Sequence, residues 1–319
     1  MRKHLLLGLL LIIVCAVLVT CTSLSSGNDT LYFKPFIPYT PYIVSPYSAV
    51  DWENFGQYKA ALHAHSTNSD GAFLFHEVIE DHYEKNFDIL AVTDHDVVTS
   101  DWVTARNGLT RQRFNEITSG ADRSGRGMLQ IPFTNEQSQS DHVNTFFTNF
   151  NNAVSATLRS NIEKTHKLGG ISIINHPGRH TGAEAGGIEG EKINNDTQVI
   201  KKYVDLFMEF PSCVGMEIIN KADGESVSDR ILWDNILSQT IPLGRYVWGF
   251  SNDDSHAFSG TGLSFNMFLM PENTIENFKK AIFSGSFYAV ARVSKRELGS
   301  HFWGSGPFPV ITNINVDID

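Results

Sequence analysis

The chain has 319 residues, 41% hydrophobic and 19% charged, a balance that excludes a disordered polypeptide and is long enough for one large domain or two small ones. Its formal net charge of -10 argues against bulk nucleic-acid binding, which needs a basic face, and against charge-driven attachment to an anionic membrane surface.

Arg2, Lys3 and His4 precede an apolar run over 5–19, the layout of an export signal. The run is short for a membrane span, which needs about 20 residues. It ends in Leu18-Val19-Thr20-Cys21, similar to a bacterial lipobox but with Thr20 where Gly or Ala is usual. Residues 1–21 are therefore expected to be a signal peptide or lipoprotein signal, with ordinary secretion and an uncleaved anchor as alternatives. Export is implied in each case, with membrane attachment confined to this segment. Outside it only Cys213 remains, so no intrachain disulfide is available and the domain depends on its core and on bound metals. Residues 22–50, first rich in Ser, Thr, Gly and Asn and then in Pro and aromatics, read as an extended tether.

From 51 to 290 short apolar runs alternate with helical stretches, the pattern of an α/β domain. Strands are predicted over 59–62, 89–92, 129–133, 143–147, 170–174, 215–218 and 246–250, with helices over 77–85, 153–168, 197–210 and 229–239. Seven strands of this kind suggest a parallel barrel rather than an open sheet. His63, Asp94, His95, Glu136, His176, Asn220 and Asp254 all lie just after a predicted strand, where a (β/α) barrel gathers its reactive groups at one mouth. A helix over 274–284 and a strand over 285–290 follow. Residues 291–319 form a C-terminal extension, and alternation over 310–317 predicts a strand that closes the domain or begins a further β module.

His63 and His65 stand two apart, so on a strand both imidazoles face one side and can grip one metal ion. His63, His65, His95, His142, His176 and His256 lie in polar strings beside strands, with acids nearby. His76, His82, His166, His180 and His301 lack that setting and are read as structural or surface residues. Imidazole combined with carboxylate suits Zn, Mn or Fe, and a lone Cys213 makes a thiolate zinc site improbable.

Leu62-His63-Ala64-His65-Ser66 with Ser69-Asp70-Gly71, Thr93-Asp94-His95-Asp96, Phe133-Thr134-Asn135-Glu136 with His142, Asn175-His176-Pro177-Gly178, and Asp254-Ser255-His256 resemble, in this order, the motifs of the polymerase and histidinol phosphatase (PHP) domain family. The resemblance implies a distorted (β/α)7 TIM-like barrel and nine ligands for two or three divalent transition metals. His63, His65, Glu136 and Asp254 would hold the first ion, and Glu136, His142 and His176 the second. Asp70, His95 and His256 would hold the third, with Asp70 at a position where some members carry His.

Two ions bridged by Glu136 would lower the pKa of a shared water, giving a hydroxide for attack on a small phosphomonoester or phosphodiester. Arg179 offers a bidentate contact to phosphate or, alternatively, a surface salt bridge. Asn220 either contacts substrate or orients a ligand, and Asp253 is expected to orient Asp254 or His256. Specificity is assigned to the loops 97–128 and 178–200, the second a mobile lid or a plain surface excursion. Two other readings stand beside the exported phosphoesterase: an amide or lactone hydrolase with a similar metal cluster, and a non-catalytic surface module with a structural metal site.

Overall fold

The computed structural model describes residues 45–152, 155–184 and 186–315. The expected signal over 1–21, the tether up to 44, the first residues of the helix predicted from 153, and the end of the 310–317 strand lie outside the described residues.

Among the described residues ten strands form two five-stranded sheets. In chain order they are β1 (Gly56–Ala61), β2 (Ile89–Leu90), β3 (Leu129–Gln130), β4 (Asn135–Gln137), β5 (Val143–Phe146), β6 (Ile171–Ile174), β7 (Cys213–Asn220), β8 (Trp248–Asn252), β9 (Ser264–Met270) and β10 (Phe287–Ala291). One sheet has the order β10-β9-β1-β2-β3, the other β4-β5-β6-β7-β8. Every predicted strand up to 250 has a counterpart here. β4 and β9 are additional.

The expectation of a closed, parallel seven-stranded barrel is corrected. β1/β2, β2/β3, β6/β7 and β7/β8 are parallel, whereas β1/β9, β9/β10, β4/β5 and β5/β6 are antiparallel. Between the sheets the described residues show only the single bridges Ala64 to Ser255, His95 to Glu136 and Thr99 to Thr134, so no continuous ladder closes the ring. The short link from β4 to β5 leaves only a hairpin, because a parallel return needs a crossover of a dozen residues or more.

Alternation still sorts residues to two sides. Ala60, Leu62, Ile89, Ala91, Ile173 and Phe250 enter a core shared by both sheets and plugged by Phe278 and Ile282 of helix Ile275–Ser284. Their neighbours Ala61, Leu90 and Val92 pack outward against helix α1 (Phe75–Glu84), which buries Phe75, Val78, Ile79, His82 and Tyr83 at helical spacing. Ile174 and Met216 meet the helices α3 (Leu158–Lys167), α6 (Thr197–Glu209) and α7 (Asp229–Thr240). Asp196 starts α6 by accepting from the N–H groups of Gln198 (2.8 Å) and Val199 (3.2 Å), an N-cap worth about 1 kcal/mol.

Helices α2 (Arg111–Ser119), α4 (Pro177–Thr181) and α5 (Gly187–Asn194) occupy stretches read from sequence as loops. α2 buries only Ile117 and α5 only Gly190 and Asn194, too little for a hydrophobic period. The strand predicted from 310 is likewise not formed in the described residues. Ile311 instead accepts from Gln57 Nε2 (2.7 Å), and its N–H donates to Tyr288 Oη (3.4 Å), fastening an irregular segment to the sheet by side chains.

Candidate metal centre

Backbone hydrogen bonds between and within the sheets bring the motifs together. His65 N–H donates to the Ser255 carbonyl (2.9 Å), Asp96 N–H to Glu136 (2.9 Å) and Asn175 N–H to His142 (3.0 Å). His63 and His65 follow β1, His176 follows β6 and Asp254 follows β8, all at strand C-terminal ends. His142 stands before β5; because β5 runs antiparallel to β6, its start lies at the same mouth.

Glu136 is the hub. Its Oε1 lies 3.2 Å from His63 Nε2, 3.1 Å from His142 Nδ1 and 3.6 Å from His176 Nε2. Its Oε2 lies 2.8 Å from His95 Nδ1 and 3.4 Å from His65 Nε2. Asp254 Oδ1 stands 3.1 Å from His65 Nε2 and 3.4 Å from His63 Nε2, and its Oδ2 is 3.9 Å from His176 Nε2. Asp70 Oδ1 faces His256 Nε2 (3.3 Å), His95 Nε2 (3.6 Å) and His65 Nδ1 (3.8 Å).

All nine sequence-derived ligands thus meet in one cluster. Three groupings with converging ligand atoms are His65, Asp70, His95, His256; His63, His65, Glu136; and His63, His176, Asp254. The other two pair His142 differently from the sequence reading, with His95 and Glu136 in one and with His176 and His180 in the other. His180, taken from sequence as a bland residue, therefore borders the site. Its ring centroid is 4.9 Å from that of His142, and its Nε2 accepts the His142 backbone N–H (3.2 Å).

The electrostatics are those of a dense, dry cluster. Burial disfavours charge on His63, but Asp254, Glu136 and Glu217 outweigh it and hold its pKa well above the ordinary histidine value. Burial likewise opposes charge on Glu136 and Asp254, yet the surrounding imidazoles hold both well below the usual carboxylate range. Even so, His63 Nε2, His65 Nε2, His95 Nδ1, Glu136 Oε2 and both ring nitrogens of His176 are buried without a well-aligned hydrogen bond, their near neighbours being one another. Leaving such atoms unpaired costs about 1–3 kcal/mol each. Two residues of the cluster also carry strained backbone, His176 at φ 25° and Asp254 at φ 43°.

The supporting shell was mostly invisible in the sequence. Glu217, inside the apolar β7, accepts from His63 Nδ1 (2.8 Å), the His176 N–H (2.9 Å), Asn220 Nδ2 (2.9 Å) and Asn252 Nδ2 (2.9 Å). The bond from Nδ1 leaves His63 Nε2 free for the cluster. Its signal was available: a lone acid in an apolar strand must be paired when buried. Asn220 also donates to Asp254 Oδ2 (3.3 Å), and Asn175 Nδ2 to Glu136 Oε1 (2.6 Å), so both amides orient carboxylates.

Asp94 is no ligand; it accepts from Ser66 N–H (2.7 Å), Ser66 Oγ (2.8 Å) and Ser69 Oγ (2.9 Å), shaping the loop that carries Asp70. Gly71 closes that loop because a Cβ there would lie 2.5 Å from the His65 carbonyl oxygen. Asp253, expected to orient Asp254 or His256, instead accepts the N–H groups of Gly262 (2.6 Å), Leu263 (2.8 Å) and Ser264 (2.7 Å). Arg179 lies on the exposed rim with its guanidinium 3.3 Å from Glu225.

No family model matches the sequence. Over 80 residues the chain is 39% identical to the DNA polymerase/3'-5' exonuclease PolX of Bacillus subtilis, a match spanning 25% of this chain and 13% of that protein. Among solved structures it is similar to a two-domain protein from Bacteroides vulgatus containing a predicted PHP-like metal-dependent phosphoesterase, with a TM-score of 0.51 and 17% identity over 76% of this chain and 66% of that one. The lesion-specific endonuclease PfuEndoQ from Pyrococcus furiosus matches with a TM-score of 0.42 and 16% identity, over 74% of this chain and 58% of that one. In its fold the chain is therefore similar to the two-domain protein that contains a predicted PHP-like metal-dependent phosphoesterase.

Proposed function

We propose that this chain is an exported metal-dependent phosphoesterase that hydrolyses a small phosphomonoester or phosphodiester, using two or three divalent transition ions such as Zn, Mn or Fe. The observation that carries this reading is the convergence of buried imidazole and carboxylate atoms on Glu136. Imidazole combined with carboxylate fits a borderline divalent ion, which would take the place of the protons these crowded groups otherwise share. His63, His65, Glu136 and Asp254 are assigned to the first ion, Glu136, His142 and His176 to the second, and Asp70, His95 and His256 to the third. Export rests on residues 2–21 alone.

Ions bound here supply Lewis acidity toward phosphoryl oxygens and an acidified water. The chain's own residues do the positioning. Glu217 fixes the His63 tautomer, Asn175 and Asn220 fix the two central carboxylates, and the buried cluster keeps bulk water from its inner side. Arg179 is assigned the contact to an incoming phosphate, the alternative being that it serves only in the rim salt bridge it makes with Glu225.

The test is metal analysis and turnover of the purified, metal-reconstituted protein. At least two equivalents of transition metal per chain and hydrolysis of an aryl phosphate are expected; one equivalent or fewer, or no turnover of any phosphate ester, overturns the reading. The PolX match gives a nuclease reading some support, so an oligonucleotide belongs in the same panel, although the net charge of -10 weighs against it.

A further inference from the structure

Lys221 is a cation at the mouth of the site that the motifs do not account for. It follows the last residue of β7 and adopts φ 55°, a left-handed conformation that a non-glycine residue keeps only where its surroundings impose it. Here they do: its N–H donates to the Asn252 carbonyl (2.9 Å) and its own carbonyl accepts from Ser264 Oγ (2.7 Å). Fixed in this way, its Nζ lies 3.1 Å from Asp254 Oδ2 and 3.2 Å from Glu225 Oε1.

An ammonium has three donors, and these two carboxylates engage two of them. Lys221 also lines an open cavity of about 410 Å³ together with Asp254, Ser255, His256 and Ser259. That volume falls in the range of small-ligand sites. One wall of the cavity is thus a cation, and beside it are two residues of the ligand cluster. Arg179 stands on the far oxygen of Glu225 at 3.3 Å, so a single carboxylate spaces two cations along the rim.

We propose that Lys221 is a substrate-binding residue, its ammonium taking a non-bridging phosphoryl oxygen of an ester seated in this cavity and thereby favouring phosphomonoesters over diesters. The preference follows from charge. A monoester dianion presents twice the charge of a diester monoanion to a partly desolvated ammonium, and its terminal oxygens are unblocked. The inference rests on the phosphoesterase reading given above.

The experiment compares metal-reconstituted wild type, Lys221→Met and Lys221→Arg on para-nitrophenyl phosphate and bis-para-nitrophenyl phosphate. Inorganic-phosphate binding is followed by calorimetry, with metal content and melting temperature alongside. In Lys221→Met the monoester kcat/KM should fall by about tenfold or more, mainly through KM, and phosphate binding should weaken by a similar factor. The diester should change by less than about threefold, metal content should hold, and Lys221→Arg should recover much of the phosphate binding. Equal losses on both esters together with lost metal make Lys221 a mere prop for Asp254 and overturn the assignment. Unchanged monoester KM and phosphate binding in an active, folded Lys221→Met protein overturn it too, while leaving the phosphoesterase reading intact. A wild type that neither turns over an ester nor binds phosphate removes both.

Discussion

The floor of the ligand cluster and its rim meet water differently. His63, His65, Glu136, His176 and Asp254 are buried, whereas the side chains of Asp70, His256 and His95 are 56%, 31% and 23% exposed. A charge on the floor has no solvent to fall back on, and three floor residues have a second-row partner: Glu217 for His63, Asn175 for Glu136 and Asn220 for Asp254. The rim has few such supports because water screens its charges. The floor is therefore where structure and chemistry depend on each other, and the rim is where occupancy can vary without endangering the fold.

The largest effect should come from the hub. Glu136→Gln is expected to lower turnover about a thousandfold or more while the far-ultraviolet circular dichroism stays native. Retention of most activity would remove Glu136 from its bridging position and erase the contrast. One layer out, Glu217→Gln should weaken metal binding by about 10–100-fold in a competitive chelator titration, since it releases His63 from its fixed tautomer. An affinity equal to wild type would mean that burial alone orients the floor.

At the rim, Asp70→Asn should cost less than about 1 kcal/mol of unfolding free energy and lower only the last equivalent of bound metal. A collapse of all metal binding in that variant would show the rim to be part of the floor. The smallest effect concerns a buried histidine outside the cluster. His82 is pushed down to about 4 by burial, against the help of its bond to the Val78 carbonyl (2.7 Å). Because its folded pKa lies below the unfolded value, its contribution is complete above about pH 6.5 and is lost as the pH falls through about 4. His82→Gln should leave stability at neutral pH within about 1 kcal/mol and flatten the acid limb of a denaturation series. An unaltered limb would mean that His82 does not contribute to it.

The ligands were legible in the sequence because a metal site needs particular residue types at strand ends, and such strings stand out from an apolar background. His63-Ala64-His65 and Thr93-Asp94-His95-Asp96 carry that signal in a few residues each. Pairing direction was not legible. Periodicity marks a strand but says nothing of its neighbour, and β5, β9 and β10 turned out antiparallel to the strands beside them. Glu217 and Lys221 escaped because their roles depend on what faces them across the mouth, from strands remote in sequence. The tail over 310–315 misled in the other direction: its alternation suits a strand, yet Ile311 is held by the side chains of Gln57 and Tyr288.

The bridge between Ala64 and Ser255 also bears on the order of folding. It joins the first motif to the last, so the loop it closes spans most of the domain, and long closures are slow because their entropy must be overcome before contacts reward it. Helices such as α1 and α6 can consolidate early from neighbouring residues, but the pocket on Glu136 has no complete lining until Asp254 arrives beside His65. The cluster is therefore a late product of folding, completed only when the segment around residue 254 reaches the first motif.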